Sequence, residues 1–442
     1  MQIKNLILQT EDRGKIFKNV FWGIAEKTLL LISGLFVYAR VASYLGTDVF
    51  GQFNYVLGVY NLFLPLASLG LSNIVVAKLL EKNVEKGKVL GTAAFMRLIG
   101  AVIAIIGNAI FLYVVDGNLV FVMLSLLMSW SYIFSSLQVI DEYFQSELQS
   151  REISIIRMIV YLILIVLKLL AIYLSADLKI FLFIYSLEFV LIMLGSLVLY
   201  LKRYKNFKDW SIDFKIAKIL FFSLLPILIT LIADTFYTRY AVVVIKEVLS
   251  FSEVGVYSVA AKLGEIWYFL PVTICIALFP KITKLYNQDK EHYKKILPSF
   301  YSILFIIPLL IIFGSFLFIE PFVQLMFDSS YLNSIPIFSV YVFIGVFVSL
   351  KTLNQRIYIL ENIQKYLIIF SLLSSAMSLI LFYILIPRYG AIGAPISMII
   401  SHTFYMLILP LLFRDTRIQV LYIIKGILPW NYYRIKELFI KK

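Results

Sequence analysis

KIFLFIYSLEFVLIMLGSLVLYLKRYKNFKDWSIDFKIAKILFFSLLPILITLIADTFYTR (179–239) holds the plan of the whole chain in one stretch. Residues 179–201 are apolar with a single internal charge, Glu188, and residues 217–239 are apolar with Lys218 and Arg239 at the ends and Asp234 between them. Each run exceeds the roughly 20 residues that a helix needs to cross the hydrocarbon of a bilayer. Between them lies LKRYKNFKDWSIDFK (201–215), and six lysines and arginines fall between 202 and 218. The pattern is a hairpin of two membrane helices with a strongly basic turn.

The same pattern extends in both directions. Spans are expected at about 17–39, 52–77, 89–114, 119–140, 153–174, 179–201, 217–239, 254–280, 296–318, 334–355, 365–386 and 391–413. No polar gap between them is long enough for a soluble domain. Composition agrees, because 61% of the 442 residues are hydrophobic and 15% charged, against about 25% charged in an ordinary soluble domain. The fold class is therefore an all-α membrane protein of about twelve transmembrane helices. The N-terminal MQIKNLILQTEDRGK has neither an apolar core nor a cleavage site of the secretory kind, so the first helix is expected to direct insertion.

The position of the charges disposes of the nucleic-acid reading that a net charge of +14 invites. With the N-terminus inside, 29 of the 40 lysines and arginines fall on the cytoplasmic side and 5 (Arg40, Lys179, Arg239, Lys246 and Arg388) on the other. Such an asymmetry across short loops is the positive-inside signal, and it alternates correctly through twelve spans. It predicts a multi-pass protein of the bacterial inner (cytoplasmic) membrane with both termini in the cytoplasm. The tail 414–442 contains VLYIIKGILPW, too short to span. Its Arg417, Arg434 and Lys436 beside Ile423, Ile427, Trp430 and Phe439 read as an amphipathic helix on the anionic inner leaflet.

The basic linker divides the spans into six and six, so the halves share an orientation and any duplication is a parallel repeat about the membrane normal. The expected division is an N-terminal lobe 1–205, a C-terminal lobe 206–413 and the tail 414–442. LGTDVFGQFNY (45–55) and LSFSEVGVYSV (249–259) align Leu45, Gly51 and Phe53 with Leu249, Gly255 and Tyr257 at an offset of 204. In each copy an acceptor, Asp48 or Ser252, is placed to cap a helix.

ARVASYLGTDVFGQFNYVLGVYNLFLPLASLGLSNIVVAKL (39–79) resembles the first signature of the polysaccharide-export flippases, the Wzx-type branch of the multidrug/oligosaccharidyl-lipid/polysaccharide superfamily. EVGVYSVAAKLGEIWYFLPVTICIALFPKI (253–282) is similar to that family's second-lobe counterpart, and PRYGAIGAPIS (387–397) to its late helix pair. The resemblance covers nearly the whole chain. It implies a fold like that of the multidrug-extrusion (MATE) transporters, two six-helix lobes about a pseudo-two-fold axis along the membrane normal. It also implies a flippase that carries undecaprenyl-diphosphate-linked oligosaccharide repeat units for O-antigen, capsule or another surface polysaccharide, alongside a polymerase and other polysaccharide-assembly proteins.

Charges within the spans are functional candidates, since each costs at least about 2.5–3.5 kcal/mol to insert. Lys27, Arg97, Lys168 and Lys262 would give a passage between the halves a cationic interior suited to a diphosphate. Glu26, Glu188 and Asp234 are candidates for coupling to a proton or sodium ion, on family likeness and burial. Structural alternatives stand beside these: Arg97 pairing with Glu26 at a similar depth, and Lys262 neutralising Glu265 three residues on. Arg157 and Lys351, nearer the helix ends, are expected to snorkel, and His402 and Cys275 to be packing residues.

No phosphate-binding glycine loop of the nucleotide hydrolases is present, and the two histidines have no metal-ligand spacing. The expectation is a secondary or downhill transporter without a cofactor. Two rivals remain. A multidrug or cation antiporter of the MATE type would be expected to show an acid-dominated cavity. A membrane polymerase or ligase would be expected to carry a sizeable outer loop, and none here exceeds about 20 residues.

Overall fold

The computed structural model describes residues 34–81, 84–204 and 207–428, and gives residues 2–33 as helical backbone only. The side chains of Glu26 and Lys27, and the tail positions Trp430, Arg434, Lys436 and Phe439, lie outside the described residues. Contacts divide the chain into two compact units, Met1–Thr235 and Phe236–Lys442.

The N-terminal unit runs through α1 (Gln2–Ser68), α2 (Ser72–Leu79), α3 (Lys86–Asp116), α4 (Leu119–Ser129), a 3-10 stretch (Trp130–Gln138), α5 (Val139–Ser146), α6 (Ser150–Tyr173), α7 (Leu178–Tyr204) and most of α8 (Phe214–Arg239). The C-terminal unit continues with α9 (Ala241–Val248), α10 (Phe251–Glu265), α11 (Phe269–Gln288), α12 (Lys290–Met326), α13 (Ser334–Tyr341), α14 (Ile344–Leu360), α15 (Lys365–Tyr389), α16 (Gly393–Thr403), a π-helical turn (Phe404–Ile408), α17 (Leu409–Leu412) and α18 (Arg417–Ile427).

Among the described residues, ten stretches are long and apolar enough to cross a membrane, and the chain is a multi-pass membrane protein. Two of the ten, Gly34–Leu79 and Lys365–Leu412, have 46 and 48 residues. A straight helix of that length would be about 70 Å long, more than twice the hydrocarbon thickness. Each is broken by a glycine, Gly46 at φ 69, ψ 167 and Gly390 at φ 66, ψ −157, a region that residues with a Cβ hardly enter. The two breaks turn ten stretches into the twelve spans read from the sequence.

The boundary between units falls inside α8 rather than at the linker, thirty residues after the division expected at 205/206. The linker is fastened to the N-terminal unit. Trp210 Nε1 donates to the Tyr200 hydroxyl at 3.0 Å, and the Asp213 N–H to Thr92 Oγ1 at 2.9 Å. Where α3 passes beneath, a Cβ on Gly87 would lie 2.2 Å from Asp209 O, and one on Gly91 2.7 Å from Ser211 O. Leu220 and Leu224 of α8 then join Leu71, Val75 and Phe144 in the N-terminal core. Asp213 caps α8 by accepting from the Lys215 and Ile216 N–H groups at 2.8 and 3.2 Å, and these bonds hold its carboxyl below the usual carboxylate range.

In the C-terminal unit α18 packs against α12. A Cβ on Gly426 would fall 2.6 Å from Tyr301 Cβ, and Ser302 Oγ donates to Gly426 O at 2.7 Å. Glu361, at the end of α14, accepts from Tyr293 Oη and Gln419 Nε2, both at 2.6 Å. Burial raises its carboxyl above the ordinary value against the opposing pull of those two donors. Between the ordinary and the raised value the docked state holds the proton that the undocked state has lost, so its stability falls as pH rises through that window. Proteolysis of α18 is therefore expected to quicken as pH rises through it, and Glu361→Gln to remove that pH dependence.

Candidate functional site

The N-terminal unit carries a fully buried ion pair. Arg97 Nη2 lies 2.5 Å from Glu142 Oε1 and Arg97 Nη1 3.2 Å from Oε2, a bidentate fork, with side chains 0% and 3% exposed. Arg97 Nε donates to Ser68 O at 3.1 Å, and Nη2 reaches Ser72 Oγ at 3.4 Å. The fork therefore binds α3 to α5 and to the end of α1. Among the described residues the carboxylate on Arg97 is Glu142, and the expectation is corrected in one respect: Arg97 presents no surface to a substrate. Glu142 reaches it because the fourth span does not stop near residue 140. Nine residues of tight 3-10 winding carry it into α5, an unusually long run of that geometry.

The preceding residue, Asp141, receives Arg157 Nη2 and Ser196 Oγ, each at 2.7 Å. Arg157, expected to snorkel, is thus engaged by a carboxylate. Lys168 of α6 is half-buried, five residues from the end of its helix, with Nζ 6.0 Å from the centroid of the Tyr185 ring. Glu188, half-buried in α7, is near enough to act electrostatically on Tyr60. The Tyr60 hydroxyl shares a 3.0 Å bond with Ser131 Oγ, and the ring stacks on Tyr132 at 4.5 Å. Asp234 is half-buried near the end of α8.

The C-terminal unit holds a second arginine–carboxylate pair with a different character. Arg239 Nη2 lies 3.1 Å from Glu265 Oε2, and the Tyr341 hydroxyl donates to Glu265 Oε1 at 2.8 Å. The Arg239 side chain keeps 41% of its surface accessible and that of Glu265 21%. Sequence reading placed Arg239 at the outer end of the span 217–239. In the structure α9 prolongs the apolar stretch from Phe214 to Val248, nine residues past Arg239. The signal was AVVVI directly after Tyr240, which prolongs the apolar run. Lys262 is exposed one turn before Glu265 on α10. Glu265, the carboxylate expected to neutralise Lys262, is engaged by Arg239 and Tyr341.

Deeper in the same unit, His402 is 3% exposed and packs edge-on to Tyr237 at 4.6 Å and face-on to Phe347 at 5.7 Å. Lys351, expected to snorkel, instead places Nζ 4.7 Å from the Tyr405 ring centroid, a cation–π contact. Cys275 is buried. Among the described residues no group of three or more His, Cys, Asp or Glu could hold a metal ion.

The four cations proposed from sequence thus separate. Arg97 is consumed by scaffolding, Lys27 lies outside the described residues, and Lys168 and Lys262 retain accessible surface. Arg239 is an accessible cation that joins them.

The family described as "Polysaccharide biosynthesis protein" matches residues 16–286. No curated protein matches the chain. Among solved structures, the inward-facing form of a multidrug resistance MATE family transporter of the MOP superfamily is similar at a TM-score of 0.65 and 15% identity, over 94% of this chain and 95% of that one. Lipid II flippase MurJ in an inward closed conformation gives 0.62 and 17%, over 95% and 98%. A mutant of the Vibrio cholerae MATE transporter VcmN gives 0.55 and 12%, over 92% and 98%. At these identities the likeness concerns the fold, which is MATE-like.

Proposed function

This chain belongs to the polysaccharide biosynthesis protein family, and from that premise we propose that it is a flippase for undecaprenyl-diphosphate-linked oligosaccharide. It works in the bacterial cytoplasmic membrane with both termini inside, as a secondary transporter and not an enzyme, and supplies a polymerase and other polysaccharide-assembly proteins. The observation that carries the reading is an accessible arginine, Arg239, within the apolar stretch Phe214–Val248, with the exposed Lys262 one turn from the carboxylate that holds it. A fully formed neutral pair would be buried; here Glu265 occupies one edge of the guanidinium and leaves donors for a phosphate oxygen.

Glu265 and Tyr341 orient the guanidinium, and Lys262 supplies a second positive charge for the diphosphate. Lys168 and Lys27 are the N-terminal candidates for the same role, and Glu26, Glu188 and Asp234 the candidates for proton or sodium coupling. O-antigen and capsule repeats are both compatible with this chemistry. The MATE-type antiporter reading draws on the fold likeness but would put accessible acids where this chain puts Arg239 and Lys262.

Deletion of the gene tests the choice. Lipid-linked repeat units are expected to accumulate on the inner leaflet. Unchanged lipid-linked sugar together with lost drug resistance would establish the antiporter instead.

A further inference from the structure

We propose that α18 is a two-faced clasp, docked on the C-terminal unit by one side and on anionic phospholipid headgroups by the other. The inference does not depend on which substrate is carried.

The inner side is built from fixed contacts. Gln419, Val420, Tyr422, Ile423 and Gly426 are buried. The turn that leads in is rigid as well: Thr416 Oγ1 donates to Pro410 O at 2.8 Å, Arg417 Nε to Leu411 O at 2.8 Å, and the Tyr366 hydroxyl to Asp415 Oδ2 at 2.8 Å. Together with the bonds to Glu361 and Ser302, these hold the helix in one rotational setting.

The outer side then follows from helical spacing. Ile418, Leu421 and Ile424 are 44%, 49% and 43% exposed, three positions apart, so they form one stripe. Arg414, Arg417 and Lys425 are exposed around it. Large aliphatic side chains facing water without a partner are disfavoured, and a stripe of them bordered by cations matches the boundary between acyl chains and anionic headgroups. Position on the chain gives the same answer. Only four residues separate α18 from the end of α17, the last turn of a membrane-spanning stretch, so the helix begins at the depth of the headgroups. The occupant is thus phospholipid of negative charge, and its partners are the cations around the stripe.

The test uses the full-length protein in vesicles, with an environment-sensitive fluorophore at Leu421→Cys or, should that variant fold poorly, at Ile418→Cys; the native Cys275 is buried. Phosphatidylcholine and phosphatidylglycerol brominated near the headgroup serve as quenchers at equal mole fraction. Quenching by the phosphatidylglycerol is expected to be at least about twofold stronger, and to fall to the phosphatidylcholine level with Arg414→Gln and Lys425→Gln or in high salt. Equal quenching by both lipids in the parent protein would overturn the anionic selectivity. No quenching by either would overturn the lipid contact itself, with quenching by aqueous iodide indicating water and its absence a covering protein. Neither readout involves transport, so failure here leaves the flippase reading standing, and the reverse.

Discussion

Arg97→Gln is expected to deplete the folded, membrane-inserted protein without leaving an inactive but abundant transporter. The substitution strands Glu142, 3% exposed and bonded at both carboxylate oxygens to the guanidinium that would be lost. Removing one partner of a buried pair costs about 3–5 kcal/mol, a large share of the roughly 5–15 kcal/mol that separates folded from unfolded protein. The fork also ties α3, α5 and the end of α1, so the loss spreads over three elements. Glu142→Gln should have a similar effect. Replacing both members by apolar residues, Arg97→Met with Glu142→Leu, should recover much of the protein, because no uncompensated charge then remains. Size-exclusion of a fluorescent fusion in detergent reads the amount of folded chain. Wild-type abundance of Arg97→Gln with lost export would make Arg97 a substrate contact after all.

The difference between Arg97 and Arg239 shows how far residue order alone can be read. Length, hydropathy and the basic loops place all twelve spans, and the two glycines that break the longest helices lie between segments expected to be separate. Gly46 and Ser250, 204 positions apart, both stand at a break between helices, Ser250 in extended backbone at φ −165, ψ 168. The capping residue is Ser250, which accepts from the Glu253 N–H at 3.2 Å, and not Ser252, while Asp48 accepts from Gln52 Nε2 at 3.0 Å.

Partnership between distant charges is less legible. Depth in the membrane suggested that Arg97 needs an acid but could not choose among Glu26, Glu188, Asp234 and Glu265 on four other spans. The choice of Glu142 depends on 3-10 winding that no hydropathy pattern encodes. Arg239 was missed for a simpler reason: a charge at the edge of an apolar run was taken as its end, though the helix continues through AVVVI to Val248. Accessibility, which separates a scaffold arginine from one that can meet a ligand, is a property of packing and appears only in three dimensions.

Arg239→Gln is expected to abolish most transport while leaving the protein at wild-type abundance, the opposite signature to Arg97. The side chain is 41% accessible, and Glu265 keeps its bond from Tyr341 and its own 21% accessibility when the arginine is gone. Glu265 therefore retains a hydrogen-bond donor after the substitution. What disappears is a charge-assisted bond to phosphate, worth about 1.5–3 kcal/mol, or roughly a 10- to 100-fold loss in the rate of translocation. Arg239→Lys separates charge from shape. A single ammonium cannot hold Glu265 with one edge and an anion with another as a planar fork does, so a partial loss is expected. Lys262→Gln, on an exposed position, should reduce transport without touching the Arg239 pair, and combining it with Arg239→Gln should cost more than either alone. The measurement is uptake of lipid-linked oligosaccharide by vesicles containing the purified variants, with abundance checked in parallel. Normal transport by the double variant would remove the diphosphate contact from the C-terminal unit, and loss of protein in Arg239→Gln would class Arg239 with Arg97 as part of the scaffold.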